Sequence, residues 1–287
     1  MTVYVSTSCL APSGGFYDVI KTYRAAGITN IELGSTHRYS PEISADGLKD
    51  NGCHYLCHHY FPPPEHSVIV NLASTNPSIL NASKNHIRNC LDFCQEMGIS
   101  LFTFHAGFRA DPQADPRGRF EFPRDEVVPY ETAFNIFVDT VEEINAYALK
   151  KGVKIGIENN VLSDYNVIDG QNPFLLLCEA WEFDELWQRI PSENVGVLLD
   201  LGHLKPTAHW LKFDPEQFIE SVTHHIVAFH IHENGGMKDQ HLPVTETSWC
   251  LDVISRDVFR GIPVIIESSG LTTEDILAQV HLVEASL

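Results

Sequence analysis

One pattern recurs along the chain: a segment with the apolar spacing of a helix, then a glycine, then a short apolar run rich in β-branched residues. A glycine just past a helix end adopts the left-handed conformation without steric cost, so each copy predicts a helix that ends and leads into a strand. The glycines are Gly27, Gly98, Gly152 and Gly261. The helical spacing is clearest at Phe134, Phe137, Val138, Val141, Ile144 and Ala148.

Eight short apolar runs predict strands. Most are continuous rather than alternating, as is typical of parallel strands covered on both faces, and every interval has room for a crossover helix. Strand and helix in alternation predict an α/β fold, a single (β/α)8 TIM barrel over residues 1–287, with an open doubly wound sheet as the alternative. The predicted strands are Val3 to Ser8, Ile28 to Leu33, His54 to His59, Leu101 to His105, Lys154 to Glu158, Gly196 to Asp200, Val227 to His232 and Val264 to Glu267.

The composition agrees with one domain and disfavours two kinds of partner. A chain of 287 residues, 44% of them hydrophobic, has the size of one barrel of roughly 250 residues. Its 19 basic and 38 acidic residues give a net charge of −19, which repels phosphate backbones, so we do not expect a nucleic-acid partner. The start has no basic region followed by an apolar run, and no apolar run reaches about 18 residues, so we expect neither a signal peptide nor a membrane span.

The seven cysteines include no CxxC pair. This spacing disfavours a disulfide framework or a cysteine-rich zinc site, and it predicts a protein of the reducing cytoplasm. Cys90 and Cys94 lie one helical turn apart and are predicted to be buried as small apolar residues.

Metal-ligating side chains follow six consecutive predicted strands, from the third to the eighth. In a barrel the carboxyl ends of the strands converge on one face, where the active sites of this fold are found. Buried carboxylates cost several kcal/mol each unless they are paired or bound to a cation, so the joint pattern predicts a metal site. The residues are His58, His59, His105, Glu158, Asp200, His203, His230, His232, Asp239, His241 and Glu267.

With these motifs the chain resembles the xylose-isomerase-like TIM barrels, which include sugar isomerases and epimerases and also endonuclease IV. The best motifs are DLGH after the sixth strand and HIHENGG followed by DQH after the seventh. In the epimerases, Glu, Asp, His and Glu from strands five to eight hold one metal. The resemblance implies a divalent metal ion, Zn, Mn or Mg, on the matching residues Glu158, Asp200, His230 and Glu267.

Endonuclease IV adds five ligands to the same four and holds three zinc ions, so the resemblance leaves one to three metals per chain open. The additional matches are a histidine of the third strand, His105, His203, Asp239 and His241. The third strand offers both His58 and His59, and we prefer His58 as the ligand.

Other polar residues are predicted to contact substrate or to support the ligands. Arg109 lies in the loop after the fourth strand, which also holds Arg117, Arg119 and Arg124. One or two of these arginines could clamp a phosphate or carboxylate; a solvated, salt-bridged lid is the alternative. His232 is either a substrate contact or a support for a ligand. The remaining candidates for substrate contact are His59, Lys205 and Glu32.

Three functions follow as hypotheses. The favoured one is a metal-dependent isomerase or epimerase of a small sugar, keto-sugar or sugar phosphate, in which Glu158 and Glu267 exchange a proton next to a polarised carbonyl and His203 or Lys205 helps to hold the substrate. A dehydratase, a lyase, would begin with the same proton abstraction. The alternatives are a multinuclear zinc phosphoester hydrolase and a non-catalytic sugar-binding barrel. The expected partner is a small molecule, and self-association into a homo-oligomer is left open.

No GxGxxG or GxxxxGK[ST] motif occurs, so nothing supports a nicotinamide or nucleoside triphosphate cofactor.

Overall fold

Eight parallel strands close into a barrel in the computed structural model, which describes residues 1–11, 14–114 and 120–287. The strands neighbour one another in chain order, and the last pairs with the first at Val3 with Val264 and Val5 with Ile266. The predicted barrel is therefore confirmed, and the open sheet is wrong. The strands are β1 (Val3–Ser6), β2 (Asn30–Leu33), β3 (His54–His58), β4 (Leu101–His105), β5 (Lys154–Glu158), β6 (Val195–Asp200), β7 (Ile226–Ile231) and β8 (Val264–Ile266).

Helices surround the barrel, but not in every interval. The connection from β2 to β3 contains only turns and bends across residues 34–53, so the prediction of a helix in each interval is wrong there. This stretch is polar and interrupted by Pro41 and three glycines, and it lacks the apolar period that a packed helix needs. The helices are α1 (Phe16–Ala25), α2 (Pro77–Met97), α3 (Tyr130–Lys151), α4 (Ala180–Arg189), α5 (Leu201–Leu211), α6 (Pro215–Val222), α7 (Trp249–Ile254) and α8 (Thr273–Ser286).

Two of the predicted helix-ending glycines directly follow long α-helices, and a third follows a shorter turn. Gly98 and Gly152 follow α2 and α3 with φ of 70° and 68°, in the left-handed region where a side chain would be strained. Gly261 has φ of 97° but follows a 3₁₀ turn, Asp257–Phe259, rather than an α-helix. The six apolar residues predicted to face the core from α3 are all buried.

Side chains of the strands alternate between the helices and the barrel interior. Along β6, Val197 and Leu199 pack in the core between strands and helices, whereas Leu198 belongs to a separate cluster with Leu101 and Ile265. Asp200 follows Leu198 by two residues and so shares its face. The interior is therefore apolar lower down and becomes polar at the carboxyl ends of the strands.

The cysteines, a short ribbon beyond β4 and the character of the helices complete the description of the fold. Cys90 and Cys94 are fully buried in α2, as predicted, and the seven cysteines are free thiols. An antiparallel ribbon pairs Gln113–Ala114 with Phe120–Glu121 beyond β4. Within the described ranges, no helix combines the length and the apolar character that crossing a bilayer requires.

Candidate metal centre

Four predicted ligands meet at the carboxyl ends of β5 to β8. Glu158 and Asp200 end β5 and β6, His230 is the penultimate residue of β7, and Glu267 follows β8. Strand register brings them together, since Asp200 pairs with His230 across β6 and β7. None of the four is more than 8% exposed. Closure of the barrel thus gathers residues that are up to 109 positions apart in the chain.

His230 lies at the centre of the three carboxylates. Its Nδ1 atom is 3.2 Å from Glu158 Oε1, 3.1 Å from Glu267 Oε2 and 3.8 Å from Asp200 Oδ2. The ligand atoms of all four residues lie within 4.8 Å of one another. Burial alone would raise the pKa values of Asp200 and Glu267, but the nearby imidazoles lower both below their ordinary values, which keeps the carboxylates charged.

The donor set fits a divalent cation. Asp200 Oδ2 is buried and has no hydrogen-bond partner among the described residues, a costly state for a carboxylate oxygen that a cation would relieve. Three carboxylates and one imidazole are ligands that suit Mn²⁺, Mg²⁺ or Zn²⁺.

A second group of possible ligands lies beside the first. His203 and His241 donate from Nδ1 to the main-chain oxygens of Asn159 (3.0 Å) and Glu267 (2.9 Å), because a carbonyl can only accept. Their Nε2 atoms face Asp239 Oδ2 at 3.6 Å and 3.1 Å. Burial alone would lower the pKa of His241, but Asp239 raises it to about 10.

The sequence DLGH, residues 200–203, explains how Asp200, His203 and His232 are positioned. Asp200 ends β6 and also caps α5, since its Oδ1 accepts a hydrogen bond of 2.8 Å from the main-chain N–H of His203. A Cβ atom at Gly202 would overlap the ring of His232. His232 therefore packs directly against the backbone of α5, where it stacks on His241 with ring centroids 3.9 Å apart.

The histidines of β3 and β4 adjoin the opposite side of Glu158. His105 Nδ1 is 3.0 Å and His58 Nε2 is 3.6 Å from Glu158 Oε2. His59 instead accepts a hydrogen bond at Nδ1 from the main-chain N–H of His105. The structure thus directs His58 toward the carboxylates and His59 toward the backbone of β4.

A cavity of about 430 Å³ opens above the cluster. One wall carries hydroxyl groups from the loops after β1, β2 and β8, and the other carries aromatic side chains from the loop after β4. Within the described ranges, no lysine or arginine lines it. The lining residues are Ser8, Ser35, Thr36, His105, Phe108, Phe120, Phe122, Asn160, Val161, Tyr165, Asn166, Leu175, His203, Asp239, His241, Glu267 and Ser269.

Several predicted substrate contacts do not reach this cavity. Arg109 donates from Nε to the main-chain oxygen of Val128 (3.2 Å), and Lys205 pairs with Glu233. Glu32 and His59 are buried below the cavity, at 1% and 2% exposed. Arg109 and Lys205 thus contact partners that lie outside the cavity. Arg117 and Arg119 lie outside the described residues.

Sequence reasoning missed the hydroxyl and aromatic walls. Ser8 and Ser269 stand within three residues of the ends of β1 and β8, so their position after a strand was the available signal. Phe120 lies in the short ribbon strand and Phe122 just after it, and both contact Phe108, at ring-centroid distances of 5.6 Å and 5.4 Å.

A closed parallel barrel whose candidate site lies at the carboxyl ends of its strands has the architecture of the TIM-barrel enzymes. The chain belongs to the xylose isomerase-like TIM barrel family, which it matches over residues 20–281. The resemblance predicted from the strand-end motifs is thereby confirmed.

The relatives found are distant. The uncharacterized protein MJ1311 of Methanocaldococcus jannaschii is 26% identical over 180 residues, which cover 62% of this chain and 52% of that protein. The chain spans about half the length of the curated relatives it matches.

Solved structures extend the likeness over the whole chain. A D-tagatose 3-epimerase-like protein superimposes with a TM-score of 0.73 at 19% identity, covering 100% of this chain and 97% of that one. A D-psicose 3-epimerase from Clostridium cellulolyticum H10, solved with D-tagatose, gives 0.63 at 14% identity and covers 100% and 96%. At these identities the likeness shows a shared fold.

Proposed function

We propose that the chain is a divalent-metal-dependent isomerase or epimerase of a small, uncharged sugar or keto-sugar. One observation carries this proposal: the buried group of possible ligands lies directly beneath a cavity of about 430 Å³, a volume that can hold a monosaccharide. The group consists of Glu158, Asp200, His230 and Glu267. Family membership and the sugar 3-epimerases among the structural relatives support it.

Glu267 and Glu158 are proposed to move the proton. Glu267 lines the cavity, so it can reach a C–H group of the substrate directly. Glu158 is fully buried and connects to the cavity through His105, whose Nδ1 lies 3.0 Å from Glu158 Oε2. The two carboxylates come from strands three positions apart around the barrel, which supports access to opposite faces of one carbon atom.

A divalent cation held by the four residues would polarise the substrate carbonyl and so acidify the neighbouring C–H group. The hydroxyls of Ser8, Ser35 and Ser269 are suited to orient the sugar through hydrogen bonds. The aromatic side chains of Phe108 and Phe122 exclude water from the opposite side.

The cavity favours an uncharged substrate over a sugar phosphate. Arginine and lysine are the side chains that commonly bind phosphate groups, and neither lines the described part of this cavity. The carboxylates below and the net charge of −19 oppose an anion. A small-molecule partner in a reducing cytoplasm remains our prediction.

Solvent deuterium exchange tests the proposal. The protein loaded with Mn²⁺, Mg²⁺ or Zn²⁺ is incubated in D₂O with a panel of ketoses and their phosphates, and the carbon positions are read by NMR. We expect deuterium next to the carbonyl of a neutral ketose. Exchange only in the phosphates would contradict the uncharged substrate, and no exchange with any sugar would favour the non-catalytic binder.

A zinc phosphoester hydrolase is the second candidate because of one observation: further possible ligands adjoin the central four, namely His58 and His105 from β3 and β4, and His203, Asp239 and His241 from the segments after β6 and β7. Elemental analysis of protein purified without chelator separates the two. About one metal equivalent per chain supports the isomerase, and nearly three of zinc, with phosphate release from small phosphoesters, support the hydrolase.

A further inference from the structure

Glu32 is the one member of the polar layer that comes from β2. Its side chain is 1% exposed and lies below His230, with Oε1 2.8 Å from His230 Nε2. Its other oxygen, Oε2, is buried and has no hydrogen-bond partner in the described part of the chain. Glu32 does not line the cavity, so a direct contact with substrate would need a path that the structure lacks.

Glu32 and the candidate carboxylate ligands contact different nitrogens of His230. Nδ1 is the nitrogen that faces Glu158 Oε1 at 3.2 Å and Glu267 Oε2 at 3.1 Å, among the candidate ligands. If a cation takes the lone pair of Nδ1, the hydrogen atom of the imidazole is on Nε2, where the Glu32 carboxylate can accept it.

The partner of His230 differs from the partners of the neighbouring histidines. The Nε2 atoms of His203 and His241 face the Asp239 carboxylate, and their other nitrogen, Nδ1, donates to a main-chain carbonyl, which is uncharged. His230 is oriented by a carboxylate, and a charged acceptor forms a stronger hydrogen bond and makes the opposite nitrogen a better electron donor. A buried carboxylate with a free oxygen is costly to keep, and a gain in cation binding would offset that cost.

We propose that Glu32 is a positioning residue that fixes the tautomer and orientation of His230 and thereby strengthens cation binding at the candidate metal centre. This inference rests on the proposed function only in assuming that the centre binds a divalent cation. It replaces the expectation from sequence that Glu32 binds a sugar hydroxyl. Glu32 acts through His230 and touches neither the cavity nor the three carboxylate ligands.

Metal affinity is the decisive measurement. Glu32→Ala and Glu32→Gln are compared with the full-length wild-type protein by chelator competition with Zn²⁺ and Mn²⁺, and by the visible absorption of bound Co²⁺. We expect Glu32→Ala to weaken binding about 10- to 100-fold. Glu32→Gln preserves the shape and an acceptor oxygen, so its loss should be smaller, and it provides a folded variant if Glu32→Ala fails to fold. The Co²⁺ spectrum should change in both.

Glu182→Gln is the matched control, because Glu182 is equally buried and lies outside the centre. We expect it to leave metal affinity and the Co²⁺ spectrum unchanged. Wild-type affinity in both Glu32 variants, or a raised KM for sugar at wild-type metal affinity, would overturn the positioning role. A wild-type protein that binds metal but exchanges no deuterium overturns the proposed function alone, and one that binds no divalent metal overturns both.

Discussion

The chain buries carboxylates in two regions, and the groups that partner these carboxylates differ between the two. At the start of α4, Glu182 accepts three main-chain hydrogen bonds, from Leu177 (3.0 Å), Cys178 (2.7 Å) and Glu179 (2.9 Å). At the candidate metal centre the partners of Glu158, Asp200 and Glu267 are chiefly imidazoles. Burial raises the pKa of Glu182 to about 7 despite its three donors.

The difference separates a carboxylate that caps a helix from carboxylates that are candidate metal ligands. Main-chain N–H groups are fixed in place and can only donate, so the partners of Glu182 supply no ligand atom for a cation. An imidazole can donate a hydrogen bond or present a lone pair, and the centre also holds an unpartnered oxygen, Asp200 Oδ2. The kind of partner, rather than burial alone, therefore marks a candidate metal site.

The largest expected effect is the loss of deuterium exchange when Glu158 is replaced, with the replacement of Glu182 as the comparison. Glu158→Gln should lower deuterium exchange by about 10²- to 10⁴-fold, because the proposed base and a ligand charge are lost. Folding, followed by circular dichroism, should remain largely intact. Glu182→Gln should retain exchange when assayed where it is folded. A wild-type rate in Glu158→Gln would refute its role.

Metal removal should act on only one of the two regions. If a divalent cation binds the folded chain alone, adding it at about 1,000 times its Kd should stabilise the protein by about 4 kcal/mol. Thermal unfolding with and without chelator measures this shift. Glu182→Gln should show the full shift and Asp200→Asn little of it. An equal shift in both variants would place the cation elsewhere.

A pH series should act on the other region. The pKa of Glu182 is raised from 4.5 to about 7 in the folded chain, so the folded state favours the protonated carboxyl. Its stabilising contribution is complete below pH 4.5 and is lost as pH rises through 7, by about 3 kcal/mol at most. Urea unfolding of wild type and Glu182→Gln from pH 4.5 to 8 should show wild type losing stability relative to the variant. A constant difference would contradict the assignment.

The smallest effect is expected at the second group of ligands. Under the isomerase proposal, His241→Ala should reduce exchange less than tenfold and leave one metal equivalent bound, because Asp200, His230 and the two glutamates are untouched. Elemental analysis and the exchange assay measure both quantities. Loss of one of several zinc ions together with activity would instead support the hydrolase.

Local chemistry explains what sequence reasoning predicted well. Glycines such as Gly98 and Gly152 signal helix ends through their backbone freedom, and continuous apolar runs signal covered parallel strands. Once the strands are known, parallel closure requires that residues ending them share one face. Glu158 and Asp200 were therefore predicted as neighbours without any knowledge of their distance.

Side-chain partners were not predictable by the same reasoning. Glu32 and Lys205 both follow the pattern of a polar residue near a strand end, yet one contacts His230 inside the barrel and the other pairs with Glu233 beside it. The missing helix between β2 and β3 shows a similar limit, since interval length alone allowed one. Such outcomes depend on contacts between elements distant in the chain.

By itself the sequence determined the barrel, the face on which its polar residues gather and the identity of the candidate ligands, because helix ends, strand pattern and strand polarity are local properties. Only the tertiary structure decided which nitrogen of His230 faces the carboxylates, that Glu32 holds the other, and that Arg109 lies outside the cavity. Hydrogen-bond geometry depends on distances of a few tenths of an ångström between strands, and the closed and packed barrel sets those distances.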